Sequence, residues 1–409
     1  MAGRRRVSRT SMAAACLLLA SLTACGGQTA AGTVRDQVQR LLDRRAAAVL
    51  HHDPAAFAAT GTRAPYPDLK AVPFAAWSYR VTALRRTGEG AVADAELRYR
   101  VTGYDRAPVT AGRTLTLSTT AEGKWYVVSD RPAPKSAQQL WDQGPVSVVR
   151  GHSGIVLGVG QSDGTLRGYA GLADRAVPAV SDAWGTDWSR HVVVLVPKSL
   201  DGMAALLGSP ASNYRGIAAV TTGEVSEAKW GSPRPKAGGG TGQAPADRII
   251  VNPDAYGTLG PLGRQVVLTH ETTHVATRAH TDPATPLWLS EGYADWVGYR
   301  NSGRTPDQAA PELQHAVTDG KVPAALPADR DFGFAGDATR LAQAYEGGWM
   351  ACRLIADRWG EERLDDFYRA VGAHERRAGA VEDALRTVLG TTLEAFTGQW
   401  REYLRTQLG

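Results

Sequence analysis

The chain of 409 residues is long enough for two or three domains with sizeable cores, and its 43% apolar and 21% charged shares exclude wholesale disorder. A net charge of +5 invites a nucleic-acid partner, but Arg4, Arg5, Arg6 and Arg9 precede every acid; without them 5 − 4 leaves about +1, which gives nucleic-acid binding no support. Three cysteines, Cys16, Cys25 and Cys352, are too few for a disulfide scaffold or a Cys-rich zinc ribbon.

The arginines are followed by a short apolar run over 12–24, too short to span a bilayer and typical of a signal-peptide core. It ends in Leu22-Thr23-Ala24-Cys25, which resembles the bacterial lipobox. That resemblance implies removal of residues 1–24 and lipidation of Cys25. The mature chain would then sit on the extracytoplasmic side of the cell membrane, held by its lipid. Export by the general or the twin-arginine route stays open. Residues 25–33, rich in Gly, Ala and Thr, are expected to be a flexible tether.

From 34 to 59, apolar residues recur at helical spacing. Strand-like stretches follow over 76–84, 91–102, 113–120 and 124–128, separated by Gly-containing turns. A helix followed by an antiparallel sheet resembles the cystatin-like cone of the nuclear-transport-factor superfamily, which implies an α+β domain over 34–132. Residues 133–146 read as a linker. Beyond it come candidate strands at 146–149, 155–159 and 192–196, a helix at 172–184, a Pro/Gly-rich loop at 231–246 and a strand at 248–253.

The chemistry is concentrated in His270-Glu271-Thr272-Thr273-His274, within a helix expected over 262–278. Residues four apart share a helical face, so both imidazoles can reach one zinc ion, with Glu271 beside them to take a proton from metal-activated water. Glu291, 17 residues beyond His274, can enter on a second helix as the third ligand, leaving one position open. Asp295, one turn further, can accept the free N–H of His270. The other histidines, among them His280, lack ligand spacing, and Cys352 reads as a small buried apolar residue.

The run Leu287-Trp288-Leu289-Ser290-Glu291-Gly292-Tyr293-Ala294-Asp295-Trp296 resembles the second-helix signature of the gluzincin metallopeptidases, the superfamily of thermolysin-like and aminopeptidase-like enzymes. The resemblance implies an α+β chain whose metallopeptidase domain, 147–409, has a mixed-sheet and a helical subdomain and holds one Zn2+. In the aminopeptidase-like branch a tyrosine stabilises the oxyanion; Tyr345, in Tyr345-Glu346-Gly347-Gly348, stands where that group is expected, with Tyr293 and Tyr299 as alternatives. The chain lacks the Gly-x-Met-Glu-Asn element with which aminopeptidases read a free amino terminus, so endo- and exopeptidase activity both stay open.

Two functions follow. The first is a lipid-tethered, extracytoplasmic zinc metallopeptidase acting on a peptide or protein substrate. The second is a non-catalytic lipoprotein binding module whose zinc site is structural or degenerate.

Overall fold

A computed structural model describes residues 27–63, 65–88, 90–222, 244–333 and 337–409. The expected signal peptide, Cys25 and most of the 231–246 loop lie outside the described residues. The expected tether is helical from Gly27, because helix α1 (Gly27–Leu50) starts seven residues before the apolar periodicity does. Its Val38, Leu41, Leu42, Ala46 and Val49 form a buried stripe at helical spacing. Short helices α2 (Pro54–Ala58) and α3 (Pro65–Leu69) lead into a four-stranded antiparallel meander of β1 (Phe74–Thr87), β2 (Gly90–Val101), β3 (Val109–Thr119) and β4 (Trp125–Pro132). In β2, alternate residues Ala91, Ala93, Ala95, Leu97, Tyr99 and Val101 are buried, the period-2 pattern of a strand with one face on the core.

The segment expected as a linker is packed. Trp141 is buried with its ring 5.0 Å from Tyr99, 5.3 Å from Trp77 and 5.4 Å from Phe74. Arg113, itself buried, donates to Asp130 at 2.7 Å and to Asp142 of the same segment at 2.9 Å. This core continues into Val146, Ile155, Leu157, Val159 and Val193 of the next sheet. A buried Arg248–Asp105 ion pair, 2.8 Å long, ties the two sheets again.

The second sheet is mixed. It comprises β5 (Val146–Arg150), β6 (Gly154–Val159), β7 (Val192–Val196), β8 (Ala219–Thr221) and β9 (Arg248–Val251), in the order β5-β6-β7-β9-β8. β6 pairs parallel with β7, and β7 with β9, while β5 and β8 run antiparallel at the two edges. Every residue of β6 is buried, as a central strand requires. Helix α4 (Asp163–Trp184) crosses over this sheet; it begins nine residues before the expected start, where Ser162 caps the backbone N–H of Thr165 at 3.0 Å. Helices α5 (Leu200–Leu207) and α6 (Pro253–Thr258) flank the sheet.

The remainder is helical: α7 (Pro261–Thr277), α8 (Leu287–Tyr299), α9 (Pro306–Ala309), α10 (Pro311–Thr318), α11 (Ala338–Trp359), α12 (Glu361–Gly372), α13 (Ala380–Val388) and α14 (Leu393–Leu408). Its core gathers Trp288, Tyr293, Trp296, Trp349, Phe367, Tyr368 and Trp400. α8 and α11 cross where Gly292 meets Gly348: a Cβ on Gly292 would lie 2.3 Å from the Gly348 carbonyl, and one on Gly348 would lie 2.6 Å from the Trp288 oxygen. Only glycines admit backbones this close. Among the described residues, no helix is long and apolar enough to cross a membrane.

Candidate metal centre

α7 presents His270 and His274 one turn apart, and their Nε2 atoms lie 2.9 Å from each other. α8 brings Glu291 Oε2 to 3.3 Å from His270 Nε2 and 3.5 Å from His274 Nε2. A tetrahedral zinc with bonds of about 2.0–2.1 Å to N and O spaces its ligand atoms about 3.3 Å apart, so this donor set fits the ion. Asp295 Oδ1 lies 2.8 Å from His270 Nδ1. Donation of the Nδ1 proton to that carboxylate leaves Nε2 with its lone pair toward the other two ligand atoms.

The electrostatics agree with a place for a cation. Burial works against a charged His270, but Asp295 and Glu291 outweigh it and push the imidazole pKa well above its ordinary value. Burial likewise resists ionisation of Glu291, yet His274 and His270 hold it well below the usual carboxylate range. A buried carboxylate between two imidazoles is the donor chemistry of a divalent, nitrogen-preferring metal.

Glu271 is also buried, and its Oε2 accepts a 2.6 Å hydrogen bond from Thr221 Oγ1 on β8. His270 and Glu271 open onto a cleft of about 630 Å³. One wall is Ser212, Asn213 and Arg215 to Ala219, leading into the sheet edge; another is formed by Leu341, Ala342, Tyr345, Glu346 and Trp349 of α11. Tyr345 is on that wall, its ring 6.4 Å from the His270 ring and 5.2 Å from Phe332. Of the two alternative tyrosines, Tyr299 lines the cleft, with its pKa raised to about 12 by burial and the nearby Asp295 and Glu346. Tyr293 is in the core, its hydroxyl donating to Asp365 at 2.5 Å, away from the cleft. His280 accepts from Arg369 at 2.7 Å, outside the ligand cluster, and Cys352 is buried as expected.

Two residues of the site had no signal in the sequence. Thr221 lies 50 residues before its partner, in a run of small residues without motif. Glu346 lines the cleft while accepting the backbone N–H groups of Leu313 at 2.6 Å and Glu312 at 3.3 Å, at the start of α10. Burial pushes its pKa up to about 7, with the two N–H groups opposing and Glu312 and Asp295 adding to the rise.

The raised Glu346 makes stability depend on pH. The folded group ionises at about 7 against an ordinary 4.5, so between those values the native state binds more protons than the unfolded chain. Stability from this group therefore falls as pH rises through that window. Glu346→Gln keeps an acceptor for α10 and removes the titration. Urea midpoints measured across the window are expected to fall less with pH in the variant than in the wild type; equal slopes would contradict the assignment.

No protein-family model matches the sequence, and comparison with curated proteins gives no match. Among solved structures the chain is similar to an M1 zinc metallopeptidase from Deinococcus radiodurans, with a TM-score of 0.32 and 14% identity over 81% of this chain and 60% of that one. It is also similar to a two-domain M1 zinc metallopeptidase, a mutant bound to L-arginine, with a TM-score of 0.35 and 11% identity over 83% of this chain and 94% of that one. The chain thus spans 60% of the length of the first of these structures.

Proposed function

We propose that this chain is a zinc-dependent peptidase of the gluzincin kind, tethered outside the cell membrane by lipid on Cys25. The observation that carries the catalytic part is the set of three ligand atoms 2.9, 3.3 and 3.5 Å apart, with an acid of the same helix beside them on an open cleft. His270, His274 and Glu291 would hold the ion, and Asp295 would orient His270. When bound, zinc supplies a Lewis acid that lowers the pKa of water and polarises a carbonyl.

The chain's own groups do the rest. Glu271 takes a proton from the attacking water and passes it to the departing amine. A hydroxyl from the α11 wall, Tyr345, donates to the oxygen that gains charge as the carbonyl is attacked. Strand β8 is at the edge of its sheet, and the residues leading into it line the cleft, so an extended peptide can lie alongside this edge as an added strand. Largely apolar walls, among them Ile217, Val266, Val267 and Leu341, favour apolar side chains of the substrate.

The tether is supported by the cysteine and its preceding residues alone. Labelled fatty acid is expected in the wild-type chain and not in Cys25→Ser, which should partition to the soluble fraction. Label in both would remove the tether from the account.

A further inference from the structure

The hydrogen bond from Thr221 to Glu271 is the feature of the site that the peptidase reading does not use. Thr221 has no exposed surface and is the last residue of β8, paired with Ile249 of β9 in an antiparallel register. Residues two apart share a face of a strand, so Ala219 and Thr221 point the same way, and β8 packs against α7. The Thr221 hydroxyl has two acceptors in reach: Glu271 Oε2 at 2.6 Å and the Glu271 backbone oxygen at 3.2 Å. It carries a single hydrogen, and the shorter contact, to the side-chain oxygen, is the stronger one.

We propose that Thr221 is a positioning residue for the general base: it occupies one carboxylate oxygen of Glu271 so that the other is presented to the water. The inference rests on the peptidase reading of the site. The last torsion of a glutamate side chain is broad and roughly two-fold, so the Thr221 hydroxyl narrows the range of orientations that the Glu271 carboxylate samples. Threonine suits this task because its branched Cβ leaves little freedom at the first torsion, and the strand ladder fixes its backbone. The upstream residues Gly216 to Ala219 line the cleft, so a substrate laid against this edge bears on the strand that aims the base.

Thr221→Val removes the hydroxyl at nearly constant shape, and Thr221→Ser keeps the hydroxyl while removing the methyl. Losing a donor to a buried carboxyl group corresponds to about 10- to 100-fold; a loss of that order is expected in kcat of the Val variant, with KM and zinc content close to wild type and a Tm lowered by the acceptor left unsatisfied. The Ser variant is expected to recover to within a few-fold. A readout independent of turnover is the affinity of each zinc-loaded protein for a peptide hydroxamate, whose hydroxyl proton the base accepts. It should weaken roughly tenfold in the Val variant and recover in the Ser variant. Wild-type values for the Val variant would overturn the proposal, as would a Ser variant as impaired as Val, which would assign the effect to packing. If the wild-type protein cleaves no peptide, the peptidase reading fails, and the hydroxamate affinities decide the role of Thr221 by the same two criteria.

Discussion

Glu271→Gln is expected to abolish peptide cleavage while leaving one zinc per chain and an unchanged Tm. The amide has nearly the shape of the carboxylate and can still accept from Thr221, so the buried environment is retained. It cannot take a proton from water near neutral pH, and the loss of a general base is worth about 10²–10⁴ in rate. In the proposed mechanism the same group also returns the proton to the leaving amine, so the upper part of that range is expected. The proposed ligand atoms belong to His270, His274 and Glu291, none of which is altered, so metal analysis of the variant should match the wild type. Undiminished kcat/KM in a variant that holds its zinc would remove Glu271 from the mechanism.

Gly292→Ala is expected to damage both fold and site. Its Cβ would lie 2.3 Å from the backbone of Gly348, a distance no pair of carbon and oxygen atoms tolerates, and neither partner is a flexible side-chain end. The helices must therefore part. Overpacking of this kind costs about 3 kcal/mol or more, roughly 6–12 °C in Tm for a domain of this size. α8 carries Glu291 and Asp295, and α11 carries Tyr345 and Glu346, so separation also spreads the donor set and opens the cleft. Thermal unfolding with and without zinc should show a lowered Tm and a smaller rise on adding the metal. A variant with wild-type Tm would show that the crossing is looser than its geometry implies.

The centre itself was legible because its chemistry is local. A spacing of four puts His270 and His274 on one helical face, and one turn separates Glu291 from Asp295, so two short segments encode four of its groups. The fold that joins those segments was legible only in part. The second half of α4 carries the apolar periodicity, whereas Asp163-Gly164-Thr165 and Gly168 dilute it in the first half. β8 has three residues, too few for alternation to register, although it supplies both the cleft edge and the partner of the base. The 133–146 segment reads as a linker from its Pro and polar composition. Its place in the core comes from Trp141 meeting three aromatic rings of β1 and β2, a tertiary contact no local pattern announces. The place of Glu346 comes from tertiary contacts with the start of α10 and from the nearby Asp295, which no local pattern encodes.

The central claim is that His270, His274 and Glu291 hold a zinc ion that serves hydrolysis. The most direct test is a peptide-library digestion followed by mass spectrometry, with one protein sample taken through three states: as purified with its zinc content counted, stripped by a chelator, and reloaded with zinc. The expected result is one zinc per chain, defined cleavage products that vanish on stripping, and the same products on reloading. One zinc per chain with no product in any state would contradict the claim and leave a binding module with a structural metal.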